Sequence, residues 1–105
     1  MATEEVIELS RKYVLLLSSQ GLTVEKAYLF GSYAKGSATT LSDIDLLIVA
    51  KNYMEDDDLL AGRMWMLTRK VSTKIEPVFV SSARFHKDDS SQLIQTVKNT
   101  GIQIL

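Results

Sequence analysis

Cysteine is absent from the 105 residues. That excludes disulfides, thiolate nucleophiles and cysteine-type zinc sites, and nothing in the chain calls for an oxidising compartment. An excess of charge is missing as well: 12 basic residues stand against 13 acidic ones, a net of −1. Proteins held to nucleic acid by neutralising phosphates leave a strongly basic footprint, and this chain has none. No apolar run approaches the ~20 residues that a membrane-spanning helix needs. The first residues, Met1-Ala2-Thr3-Glu4-Glu5, are acidic where a secretory signal would be basic. The expectation is a cytoplasmic protein with no membrane association.

What remains describes a folded domain. Hydrophobic residues at 46% and charged ones at 24% are globular proportions. The length leaves room for one domain, 1–105. A domain of this size buries only somewhat over ~60% of its unfolded surface, so association with itself or with a partner is a natural supplement.

Thr3 with Glu4 and Glu5 reads as an N-cap followed by an acidic first turn. Val6, Leu9, Tyr13 and Leu16 or Leu17 then recur at helical spacing up to a stop at Gly21. Residues 26–30 form a short apolar run that breaks at Gly31-Ser32, and residues 44–49 read as a buried second strand. Between them lies a stretch rich in Gly, Ser, Thr and Ala, with room for one or two helical turns. Leu60, Met64, Leu67 and Val71 make one stripe of a further helix, with Asp56-Asp57-Asp58 before it and Arg69-Lys70 at its end. Residues 74–80 are the third strand. The only proline, Pro77, lies in it and assigns it to an edge or to the unpaired side. A last helix is expected over about residues 90–99, stopped by Gly101. The fold class is therefore α/β (α+β), in the order αβαβαβα, with a small mixed sheet of about three strands flanked by helices.

The chemistry concentrates in Gly31-Ser32 and, ten residues on, Asp43-Ile44-Asp45. A strand has a period of two, so Asp43 and Asp45 share one face while Ile44, Leu46 and Ile48 enter the other. Two adjacent carboxylates repel unless a cation sits between them, and hard divalent ions such as Mg²⁺ are the usual solution. Glycine at a strand end lets backbone approach a phosphate, and the amides of a helical start together with the Ser32 hydroxyl offer donors. Each half alone has a plainer reading: Asp-x-Asp as a strand start, Gly-Ser as a turn.

Taken together, Gly31-Ser32 and Ser42-Asp43-Ile44-Asp45-Leu46 resemble the motif of the polymerase-β-like nucleotidyltransferase superfamily. The short length resembles its minimal nucleotidyltransferase (MNT) branch. The resemblance implies transfer of a nucleoside monophosphate from ATP or another NTP to a hydroxyl, by in-line attack on the α-phosphorus. It implies two Mg²⁺ ions, one at Asp43, Asp45 and a third carboxylate and one at the Asp pair, with Gly31 and Ser32 at the phosphates. The third carboxylate of the family lies on a later strand, and Glu76, the acidic residue of strand three, is the candidate; an exposed edge-strand residue is its alternative reading. Relatives often carry Asp there, and arginines after the Gly-Ser where this chain has Tyr33-Ala34-Lys35-Gly36. Lys35 can meet a phosphate as a point charge, or it is a solvated loop lysine.

About 60 residues follow Asp45, too few for a second domain that would select an acceptor. Members of the MNT branch are often paired with a small helical HEPN partner, as antitoxin with toxin, and some attach AMP to a tyrosine of that partner. The alternative is a catalytically weak or inactive MNT-like module that neutralises a partner by binding alone. Asp56-Asp57-Asp58 is better explained by helix capping than by metal ligation. His86, in a polar stretch, reads as a surface residue, and Trp65 and Met66 as core finishers or an association surface.

Overall fold

A computed structural model describes residues 1–87 and 91–105. Helix α1 (Thr3–Ser19) leads into β1 (Val24–Phe30), a single turn α2 (Ser32–Lys35) and β2 (Ile44–Ala50). Helix α3 (Asp58–Met66) continues as a 3-10 turn (Leu67–Lys70) before β3 (Ile75–Ser81). Then come α4 (Ser82–Lys87), α5 (Gln92–Thr100) and β4 (Ile102–Gln103). The sheet has the order β3-β2-β1-β4, with β2 and β3 parallel and the other pairs antiparallel. Mixed pairing and the edge position of the strand carrying Pro77 are as expected.

Four strands replace the expected three. β4 is two residues long and is held only by pairing, Tyr28 opposite Gln103 and Leu29 opposite Ile102. Ile104 N–H also donates to the Ala27 carbonyl at 2.8 Å. A strand this short has no alternation to read. α4 was likewise hidden, because Phe85 is its one buried residue. The last helix begins at Gln92, capped by the Ser91 hydroxyl, which accepts from Ile94 N–H at 3.2 Å; residue 90 lies outside the described residues. At the front, Thr3 is the first helical residue and Ala2 the N-cap, so the expected threonine cap is corrected by one position. The third helix does not run unbroken to Val71, since its last turn tightens to 3-10 geometry.

The sheet is covered on both faces. Ile44, Leu46, Ile48, Ala27 and Leu29 pack with Val6, Tyr13 and Leu17 of α1 and Met64 of α3. Leu47, Val49, Tyr28 and Val80 pack with Phe85 of α4 and with Ile94 and Val97 of α5. Six of the seven residues of β2 are therefore fully buried, Asp45 being the exception. At about 1.5–3 kcal/mol for each large apolar side chain, this makes β2 a rigid platform. Tyr13 ties α1 to α3 by donating its hydroxyl to the Met64 carbonyl at 2.7 Å, and burial pushes that phenol above its ordinary pKa. Asn52 closes the far end, accepting from Thr23 N–H and donating to the Gly21 carbonyl, both at 2.8 Å. Among the described residues no helix is long and apolar enough to cross a membrane.

Candidate active site

The carboxylates gather where β1 ends and β2 and β3 begin. Asp45 is the second residue of β2, and in the parallel ladder its partner on β3 is Glu76. Parallel strands in register present partner side chains on the same face, so the two carboxylates project side by side. That face is the one covered further along by α4 and α5, which pack on Leu47 and Val49 but not on Asp45. The Asp45 side chain is thus half-buried at the rim, and Glu76 is exposed.

Asp43 precedes β2 and is carried by a loop of small polar residues. Thr39 N–H donates to the Ser42 hydroxyl at 2.8 Å, and Ser42 N–H to the Thr39 carbonyl at 3.1 Å. Lys74 fastens this loop to the start of β3, its ammonium donating to the Thr40 carbonyl at 2.5 Å. Ile44 N–H donates to the Lys74 carbonyl at 2.8 Å, which begins the β2–β3 ladder. Ser42 and Lys74 are positioning residues of the site. Ser42 stands in the sequence motif by pattern alone, and Lys74 carries no sequence signal, because its contact spans 34 residues.

The protonation chemistry registers the crowding. Asp45 is raised above the ordinary aspartate pKa, first by burial and then by the charge of Asp43. Glu76 is raised by desolvation, by the charges of Asp43 and Asp45, and by a hydrogen bond that its protonated carboxyl donates to Asp43. Asp45 and Glu76 therefore both feel the charge of Asp43. Among the described residues no three such groups are closed into a ready coordination sphere. Uncompensated anions repel, and a cation between them is what would draw them together.

Folded pKa values above the unfolded ones make a contribution that is fully present below about pH 4 and lost as pH rises through the raised values. Hence, in EDTA, the melting temperature of Asp45→Asn should gain on wild type as pH is raised from about 4 to about 6. Melts in both proteins across that range check this; a constant difference refutes the charge coupling.

Gly31 stands against the same carboxylate. Its backbone has φ 73° and ψ −148°, a region essentially reserved for glycine. A Cβ built there would collide with Asp45 Oδ2. The glycine thus serves two ends: it turns the chain out of β1 into α2, and it leaves room for the Asp45 carboxylate. From there Ser32 opens α2, whose Tyr33 ring is buried in the core and anchors the turn. Gly31→Ala should lower stability by about 1–3 kcal/mol from backbone strain alone. It should also remove the stabilisation that Mg²⁺-nucleotide gives wild type, because Asp45 must move. Melts with and without Mg²⁺-nucleotide separate the two effects, and a variant destabilised but still fully responsive would reduce Gly31 to a structural turn.

Lys35 is exposed at the trailing end of α2, and no contact joins it to the carboxylates. At the start of α3 the aspartates do what capping requires: Asp57 is the N-cap and accepts from Leu60 N–H at 3.0 Å, and Asp58 lies in the first turn. His86 pairs with Glu25 at 2.7 Å on the surface, and Ser82 donates to the other Glu25 oxygen at 2.9 Å. A cavity of about 210 Å³ between α1 and the C-terminal residues is lined by Arg11, Val14, Leu15, Ile104 and Leu105, none of them a site residue.

The model of the family described as "Polymerase beta, Nucleotidyltransferase" matches residues 12–105. The chain belongs to this nucleotidyltransferase family. Its fold recurs in solved structures. A structure described as a "putative nucleotidyltransferase from Sulfolobus solfataricus" superposes with a TM-score of 0.66 at 22% identity, over 96% of this chain and 80% of the other. A toxin–antitoxin structure with AMP-PNP gives 0.59 at 24% identity, over 90% and 71%. A mutant MntA–HpeT toxin–antitoxin structure gives 0.52 at 19% identity, over 100% and 73%. No curated protein matches the sequence. A nucleotidyltransferase fold and activity are thus shown by family membership, and the short chain is consistent with the minimal form of that domain.

Proposed function

We propose that this nucleotidyltransferase moves a nucleoside monophosphate, AMP in the first instance, from ATP or another NTP to a hydroxyl of a partner protein. The acceptor we favour is a tyrosine of a HEPN-type toxin, which makes the chain the antitoxin of the pair. The observation that carries the reading is the register pairing of Asp45 with Glu76, with Asp43 two residues before Asp45 at the same strand start and Gly31 against the Asp45 carboxylate. Two solved neighbours are toxin–antitoxin structures, one of them with AMP-PNP. The other carries aspartates exchanged for glutamates at two positions spaced as Asp43 and Asp45 are.

The donor set fits hard cations: three carboxylates and no nitrogen or sulfur ligand in the motif. Divalent metal bound there would neutralise the triphosphate and increase the acidity of the acceptor hydroxyl. Asp43 and Asp45 would hold it from one strand start, and Glu76 from the neighbouring strand. Gly31 keeps the space beside Asp45 open, and Ser32 with the leading amides of α2 would orient the β- and γ-phosphates. Glu76, exposed and with a raised pKa, would also accept the hydroxyl proton.

The test is incubation with each α-labelled NTP, Mg²⁺ and a lysate of the source organism. A labelled protein band with one nucleotide is the expected result, and mapping of the label to a tyrosine would complete it. Absence of transfer from every NTP, with a partner still captured, would favour the binding module.

A further inference from the structure

The outward face of α3 carries an apolar ridge where a surface helix should be polar, with exposed Arg63 along one side of it. Leu59, Gly62 and Met66 follow one another at i, i+3 and i+7, opposite the buried Met64, and Trp65 flanks them. Leu59 is 81% exposed, Met66 53% and Trp65 46%. Gly62 is the unusual member. Glycine inside a helix costs about 1 kcal/mol relative to alanine. Here a Cβ would have no neighbour within 4 Å, and its φ does not lie in the left-handed region, so neither packing nor backbone within the chain requires it. A glycine at the centre of an exposed apolar ridge permits the close approach of another helix.

The charges around the ridge say which helix. Exposed Asp56 and Asp58 lie at its leading end, and exposed Arg69 and Lys70 at its trailing end. A second copy laid antiparallel, with Gly62 on Gly62 at the two-fold axis, brings Leu59 over Trp65 of the other copy. It also sets each acidic end beside a basic one, so the surface is complementary to itself, as a two-fold interface must be.

We propose that α3 is the contact surface of a homodimer, built by antiparallel packing of Leu59, Gly62, Trp65 and Met66. Nine residues of helix are only ~14 Å long, so the interface lies below the usual size for stable complexes, and the dimer is a weak one. The site residues Gly31, Asp43, Asp45 and Glu76 are not on α3, and the face presenting Asp45 is the one opposite to it. Dimerisation therefore leaves the site free, and the proposal stands whether or not the acceptor is a toxin.

Sedimentation equilibrium from about 10 µM to about 500 µM should show a monomer–dimer equilibrium, with the emission of Trp65, the only tryptophan, shifting to the blue as dimer forms. Gly62→Gln should weaken the dimer roughly tenfold or more while raising the melting temperature of the dilute monomer. Asp58→Lys should weaken it as well, and adding Arg69→Glu should restore it. A wild type that stays monomeric throughout, or a dimer indifferent to Gly62→Gln, overturns the proposal and gives the ridge to a different protein. A double variant that recovers nothing overturns the antiparallel arrangement.

Discussion

Asp45→Asn is expected to abolish nucleotidyl transfer while leaving the metal-free protein as stable as wild type or slightly more so. The two halves have one cause. Asp45 is the polar exception in a fully buried strand, beside Asp43 and in register with Glu76. Ionising it costs desolvation and repulsion, which is why its pKa is raised. The amide of asparagine has the same shape against Gly31 and no charge, so the packing survives and the repulsion goes. With the charge goes the ability to hold a hard cation, and with the cation the triphosphate. Asp43→Asn should behave in the same way. Thermal melts without and with Mg²⁺-ATP make the comparison quantitative. A ligand at a hundred times its Kd stabilises by about 2.7 kcal/mol, and the variants should gain almost none of it. Variants that gain as much as wild type would place the metal elsewhere.

The way the site is assembled explains which parts of it could be read in the sequence. Asp43, Asp45, Gly31 and Ser32 lie within fifteen residues, and strand periodicity alone puts the two aspartates on one face. The α1 stripe, the buried β2 and the edge position of Pro77 are likewise local statements about spacing and donors. What escaped is what only tertiary contact defines. β4 exists because β1 offers it an edge, and α4 because Tyr28 offers Phe85 a ring 5.6 Å away. Lys74 holds the Asp43 loop across 34 residues, and nothing about a lysine at a strand start announces this. The sequence reading of Gly31 concerns room for a phosphate, whereas the group its missing Cβ leaves room for in the structure is the Asp45 carboxylate, which tertiary contact alone reveals.

Glu76 was assigned on weaker grounds, as the acidic residue of its strand, and the register now gives it a definite neighbour in Asp45. If it completes the metal site, Glu76→Gln should lower kcat by roughly a hundredfold or more while the affinity for the triphosphate falls little. The reason lies in the division of labour between strands. Asp43 and Asp45 come from one strand start and would suffice for the cation that accompanies the nucleotide. Glu76 comes from the edge strand, and its exposed side chain would be open to an incoming acceptor. Removing its charge therefore affects the hydroxyl more than the phosphates, and the loss belongs to the transition state. Glu76→Asp keeps the charge and shortens the reach by one methylene. It should retain more activity than Glu76→Gln, although the pairing with Asp43 becomes longer. Single-turnover rates set beside equilibrium binding of a non-hydrolysable ATP analogue separate the two effects. A Glu76→Gln protein that transfers at the wild-type rate would make Glu76 an ordinary edge-strand residue. The raised pKa would then mean only that three carboxylates are close, and the third ligand would have to arrive with the partner that brings the acceptor.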